Sequence, residues 1–189
     1  EDVADEVIKK YGTVDLVMAN NAYAHINDIQ GTTKAVKKVL TKDGVFIFEV
    51  HYLGHVIDGL QYDMIYHEHI YYYSILSAIN HFDRYEMSIF DIKPLDIHGG
   101  SLRFYVCNNE GSNANSISNE VKSLIQHEKE KGYDRIETYK RFSSNINSLK
   151  DDLMHLIIDL KSKGKIIAGY GASGRANTMI QFCGLTNQH

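Results

Sequence analysis

Tyr66, His67, Glu68 and His69 place a phenol, two imidazoles and a carboxyl group within four consecutive positions. Imidazole titrates near neutrality and is the commonest general base, and a phenol or carboxyl group hydrogen-bonded beside it can fix its tautomer. Residues i and i+3 share one face of a helix, so a helical turn here would bring Tyr66 and His69 to one point and send Glu68 elsewhere. Such a cluster is suited to moving a proton. The competing reading is a polar surface strand or an interfacial patch. A zinc site is disfavoured because His-Glu-His lacks the i, i+4 histidine pair of zincins. His51 and His55 have that spacing but no Glu next to the first histidine, so no metal is assigned.

Asn20, Asn21 and His25 form a second polar group, placed just after a short apolar run and able to hydrogen-bond a ligand. The alternative is that Asn21 occupies a turn and His25 faces solvent. His98, Gly99, Gly100, Ser101, Leu102 and Arg103 make a polar glycine turn that either lines a substrate pocket or is only a hairpin or bulge. Gly169-x-Gly171-x-x-Gly174 follows an expected strand and opens an expected helix. In that context glycines let backbone approach a pyrophosphate, and Ser173 and Arg175 would add a hydroxyl and a guanidinium fork. A plain tight turn is the other reading of this loop.

These groups need a scaffold, and the apolar spacing supplies one. Val3, Val7, Ile8 and Tyr11 share a helix face ended by Gly12, and the chain therefore reads as starting inside a helix. Val14–Ala19 is a nearly continuous apolar run, expected as a strand buried on both faces of a parallel sheet. Asn27 or Asp28 caps a helix carrying Ile29, Thr33, Val36 and Leu40. Asp43-Gly44 then turns into a second buried strand, Val45–Val50. Strand, helix and strand make a βαβ unit, whose ligands gather at the carboxyl ends of the strands: Asn20, Asn21, Glu49 and His51.

Residues 52–73 read as irregular or broken helix, and Ile75, Leu76, Ile79 and Phe82 as a helix. Met87–Lys93 and Ser101–Cys107 read as an antiparallel pair at the sheet edge. The Asn-, Ser- and Gly-rich stretch 108–118 is the expected boundary between domains at 1–110 and 111–189. Beyond it come a helix with Ile117, Val121, Leu124 and Ile125, and a longer one with Ile146, Leu149, Leu153, Leu156 or Ile157, and Leu160. A strand at Lys165–Gly171 and a helix from Arg175 follow.

Composition removes several function classes. With 43% apolar residues in 189 the chain can form a real core, so global disorder is excluded. A net charge of -4 without a basic run argues against nucleic acid. No apolar stretch approaches the roughly 20 residues of a membrane span, and no signal peptide is recognisable. Cys107 and Cys183 stand far apart in apolar surroundings, as reduced thiols rather than a disulfide. The expectation is a cytoplasmic α/β protein with a small-molecule partner.

The run Asp15–His25 resembles the fourth-strand region of class I S-adenosylmethionine-dependent methyltransferases, and the runs Tyr62–His69, His98–Arg103 and Gly169–Thr178 resemble, in order and spacing, the NDP-sugar C-methyltransferase family. The resemblance implies a Rossmann-like class I methyltransferase fold and part of a C-terminal α/β nucleotide-sugar-binding domain. It implies S-adenosylmethionine as cofactor and methylation of a sugar carbon next to a ketone. His69 matches the proposed catalytic base, Tyr66 and Glu68 line the site, and His25 matches a further active-site histidine. Asn20 and Asn21 fall in the cofactor region. His98, Gly99 and Arg103 fall with the substrate, as do Gly169, Gly171, Ser173, Gly174 and Arg175. The family's zinc-binding cysteines and its cofactor-cradling Gly-rich loop have no counterpart in these residues, so zinc and that loop are expected upstream, and the chain is expected to be a fragment. Two rival readings are a sugar-nucleotide dehydrogenase or epimerase with NAD on the Gly169 loop, and a non-catalytic sugar-nucleotide binding module.

Overall fold

The computed structural model describes residues 2–171 and 173–188. The chain divides into two compact units, Glu1–Gly54 with Ile70–Asp134, and His55–His69 with Arg135–His189. The break expected at 110/111 therefore lies inside the first unit.

The first unit is built on a mixed sheet. After helix α1 (Asp2–Tyr11), strand β1 (Val14–Asn20) runs parallel to β2 (Leu40–His51), with α2 (Ile29–Val39) between them. Asp28 caps α2 by accepting from the Gly31 amide at 2.8 Å, as its side chain predicts. Strand β3 (Met87–Leu95) and strand β4 (Ser101–Asn108) pair antiparallel, and β4 also pairs antiparallel with β2, giving the order β1-β2-β4-β3. β4 thus lies inside the sheet, and the expected antiparallel pair reaches the edge only through β3. Leu102, Phe104 and Val106 are buried while Arg103 and Tyr105 are half-buried, as their alternation predicts; Cys107, expected on the half-buried face, is buried instead.

Two expectations change here. β1 is not buried on both faces. It pairs only with β2 among the described residues, and Leu16 and Met18 are 50% and 58% exposed. β2 begins at Leu40, so Asp43-Gly44 lies within the strand; Asp43 accepts from the Ser112 amide at 2.8 Å there. A continuous apolar run signals a strand, but its burial depends on what packs over it.

The core is aromatic. Phe48 of β2 stacks on its register partner Phe104 at 4.6 Å, and Tyr23, Phe46 and Phe82 close around them. Each aromatic pair adds about 0.5–1.5 kcal/mol beyond the area it buries. Phe82 comes from α4 (Ile75–Asp83), whose Ser74 and Ser77 form a reciprocal capping box. Glu128 of α5 (Asn119–Lys131) is fully buried, and its two carboxyl oxygens accept from the Ile75 and Leu76 amides at 2.7 and 3.0 Å. The first turn of α4 therefore has its orphan donors satisfied from another helix.

The second unit holds the short 3-10 turn Tyr62–Met64, α6 (Ile136–Ser162) and α7 (Gly174–Cys183). Helix α3 (Leu53–Asp58) carries the chain from the first unit into the second. α6 begins ten residues before the apolar stripe that predicted it, Ile136 against Ile146. Residues 165–171 were expected as a strand and form none, with Ile166 96% exposed. A strand needs a hydrogen-bonding neighbour, and none of the described residues supplies one. α6, α7 and this segment instead surround an apolar cleft of about 720 Å³ lined by Leu153, Leu156, Leu160, Ile167 and Met179.

Candidate active site

His69 lies on irregular backbone just after the 3-10 turn Tyr62–Met64. Its Nδ1 is 3.1 Å from the carbonyl oxygen of Met64. A carbonyl only accepts, so Nδ1 carries the hydrogen and Nε2 keeps its lone pair. The Tyr66 hydroxyl stands 3.5 Å from Nε2, long for a hydrogen bond, and the two rings are 4.6 Å apart. The predicted meeting of Tyr66 and His69 is thus realised by a turn, with the His69 amide donating to the Tyr66 carbonyl at 3.0 Å, rather than by a helix. Glu68 is exposed.

The Gly-rich segment reaches the same cluster. Ser173 caps α7, its hydroxyl accepting from the Ala176 amide at 3.3 Å. Gly174 lies under the Tyr66 ring, so a Cβ there would meet Cδ2 and Cε2 at 3.2 and 3.3 Å. Arg175 Nε donates to the Asp63 carboxyl at 2.7 Å. Gly169 and Gly171 are exposed, Gly171 with φ +151°. The absence of a strand at 165–171 removes the strand-to-loop context that a dinucleotide fingerprint requires. Asp63 and the Met64 carbonyl are participants that sequence reasoning passed over, although both lie in the Tyr62–His69 run.

In the first unit the rim at the carboxyl ends of β1 and β2 brings together Asn20, Asn21, Glu49, His51 and the start of β4. Asn20 pairs with Glu49 in register, and the Asn21 amide extends the pairing by donating to the Glu49 carbonyl at 3.0 Å. Asn21 adopts φ +50°, a left-handed conformation that asparagine tolerates. Both asparagines and His25 are exposed. Arg103 Nε donates to the buried Glu49 carboxyl at 2.6 Å. His98 and Gly99 sit at the exposed turn before β4 with φ +53° and +81°, and the Gly100 carbonyl accepts from the Tyr52 amide at 3.1 Å.

His25 ends the 3-10 turn Tyr23–His25. Within that turn the Tyr23 hydroxyl is 2.6 Å from Thr33 Oγ1, which donates to the Ile29 carbonyl at 2.6 Å and is 2.8 Å from His81 Nε2. Thr33 must then accept from both neighbours, which places a hydrogen on His81 Nε2. Burial of Tyr23 pushes its phenol well above the ordinary range. The Ala24 carbonyl accepts from the Ile70 and Tyr71 amides at 3.0 and 3.2 Å.

Residues 96–189 match the family of the C-methyltransferase C-terminal domain. Over 187 residues, 99% of this chain, the sequence is 28% identical to C-methyltransferase NovU of Streptomyces niveus, of which it covers 44%. Residues 96–189 thus match a C-methyltransferase C-terminal domain, and the chain spans less than half the length of the curated relative it matches.

S-adenosylmethionine is the cofactor that the resemblance implies, and the donor set can be tested against it. Exposed amides of Asn20 and Asn21 at the carboxyl end of a parallel strand pair suit a polar cofactor edge, since each offers donors and an acceptor. Among the described residues no group of three His, Cys, Asp or Glu could hold a metal ion. Among the described residues no helix is long and apolar enough to cross a membrane. Cys107 and Cys183 are buried free thiols, and burial pushes Cys107 up to about 11.

Proposed function

We propose that this domain belongs to an enzyme that C-methylates a nucleotide-linked keto-sugar at the carbon next to the ketone, with His69 as general base. The observation that carries the reading is the hydrogen bond from His69 Nδ1 to the Met64 carbonyl, which leaves Nε2 as the proton-accepting atom. The match to a C-methyltransferase domain and the likeness to a C-methyltransferase support the reaction class. The nucleotide-sugar substrate rests on the resemblance of the Tyr62–His69 and Gly169–Thr178 runs.

A carbon-bound proton is acidic enough to remove when the charge left behind spreads into an adjacent carbonyl. His69 Nε2 takes that proton, and the Met64 carbonyl stabilises the resulting imidazolium through Nδ1–H. Tyr66, loosely held at 3.5 Å, turns its hydroxyl to the developing oxyanion, with His25 as the second donor. Exposed Glu68 holds a sugar hydroxyl. Asn20 and Asn21 hold the cofactor, which supplies an electrophilic methyl group. Arg103 is steadied by Glu49 for contact with substrate, beside the His98-Gly99 turn.

The test is His69→Asn in the full-length protein. Turnover should fall by about 10²–10⁴-fold, the usual contribution of a general base, while sugar-nucleotide affinity stays near its original value. Exchange of the substrate's α-hydrogen with deuterated water should stop as well. Unchanged turnover would remove His69 from the mechanism.

A further inference from the structure

Glycine, serine and arginine at 173–175 look like an anion-binding loop, yet each is engaged within its own unit. The Ser173 hydroxyl accepts from Ala176 of its own helix, and Arg175 Nε is bonded to Asp63. Gly174 is shaped to the Tyr66 ring, since a methyl group would press against two ring carbons at 3.2 and 3.3 Å. At the other end of α7, the Phe182 ring packs 5.0 Å from that of Tyr62, and buried Cys183 Sγ lies 3.7 Å from the Tyr62 hydroxyl. Loss of water around that phenol, with the thiol beside it, pushes it up to about 12. Helix α7 therefore grips Tyr62, Asp63 and Tyr66 in turn.

We propose that α7 is a seat that positions the base, and that Gly174 and Arg175 are positioning residues for His69 rather than phosphate ligands. The inference rests on the reading of His69 as base. Its logic runs through adjacent atoms. Asp63 is latched by Arg175; Met64, the next residue, is buried and offers the carbonyl that fixes the His69 tautomer; Gly174 leaves room for the ring that borders Nε2. The Arg175 and Asp63 side chains are 41% and 28% exposed, so the latch adds little to stability and acts through geometry. A small displacement of a catalytic group costs up to about 10²-fold in rate.

The experiment compares Arg175→Ala, Asp63→Asn, their double variant and Gly174→Ala in the full-length enzyme. Each should lower kcat about tenfold, with KM for the sugar nucleotide changed less than about twofold, because binding is left intact while the base is misplaced. The double variant should be no slower than either single one, as expected of residues acting as a pair. Nitrogen NMR of His69 should show the Nδ1–H tautomer in the wild type and a mixture in Asp63→Asn. Alkylation of Cys183 should quicken in the same variants. If Gly174→Ala does not fold, Asp63→Asn decides alone. A tenfold rise in KM for Arg175→Ala without one for Asp63→Asn, or an unaltered tautomer in Asp63→Asn, would overturn the proposal. Should His69→Asn keep its turnover, the base reading fails, yet the tautomer comparison still decides whether α7 seats the ring.

Discussion

In the sheet unit, Asn20 and Arg103 stand on strands, and Asn21 directly after one, whose registers are fixed by continuous backbone pairing and by a buried aromatic core. In the helical unit, Tyr66 and His69 stand on a stretch without strand or long helix, held by one carbonyl, one ion pair and one glycine that makes room for a ring. The first arrangement fixes direction through many weak constraints, and losing one changes little. The second fixes it through a few, so a single substitution can turn the His69 ring while the fold survives. Redundant and sparse constraint are thereby placed on different parts of the chain.

The contrast can be broken most forcefully at the aromatic stack. Phe48→Ala should cost about 3–5 kcal/mol through lost burial and a cavity, read as a large fall in the denaturant midpoint. A loss below 1 kcal/mol would mean that the sheet is not what holds the rim. Next in size is Glu128→Gln, which replaces one accepting oxygen with a donor facing a helix amide. It should cost about 1–3 kcal/mol, visible as a lower Tm and faster amide exchange at Ile75 and Leu76.

Acid supplies a smaller effect. Burial, and then the charge of Arg84, lower His81 from its ordinary 6.5. The folded protein thus resists protonation that the unfolded chain accepts. Its contribution is complete above about pH 6.5 and is lost as the pH falls below that value. His81→Gln should flatten the acid limb of a Tm–pH curve relative to wild type, and identical limbs would exclude His81. The smallest effect belongs to the helical unit: Leu156→Ser, at an exposed apolar position of α6, should change stability by no more than about 0.5 kcal/mol.

Elements defined by local period were legible in the sequence. The Asp28 cap, the apolar face of α4 and the alternation of β4 all follow from spacing within a few residues. What failed depends on a neighbour. Val14–Ala19 and Lys165–Gly171 look alike as apolar runs, yet the first finds β2 and becomes a strand while the second finds no partner among the described residues. The union of Tyr66 with His69 was readable from their spacing. The latch between Asp63 and Arg175 was not, because 112 positions separate them. Glu128 left a trace: it continues the stripe of Val121, Leu124 and Ile125, where a carboxyl group can be buried only if something donates to it.

The stretch between Gly54 and Ile70 leaves the sheet unit and returns to it at nearly the same place. Tyr52 and Tyr73 bridge there, the Leu53 amide donates to the Tyr73 carbonyl at 2.9 Å, and Ala24 holds Ile70 and Tyr71. A chain pinned at both feet has already met its closure entropy, and doubling the length of such an excursion adds only about 0.6 kcal/mol. Evolution can therefore rewrite the tip, lengthening it or exchanging its side chains, without renegotiating the backbone pairing at its feet.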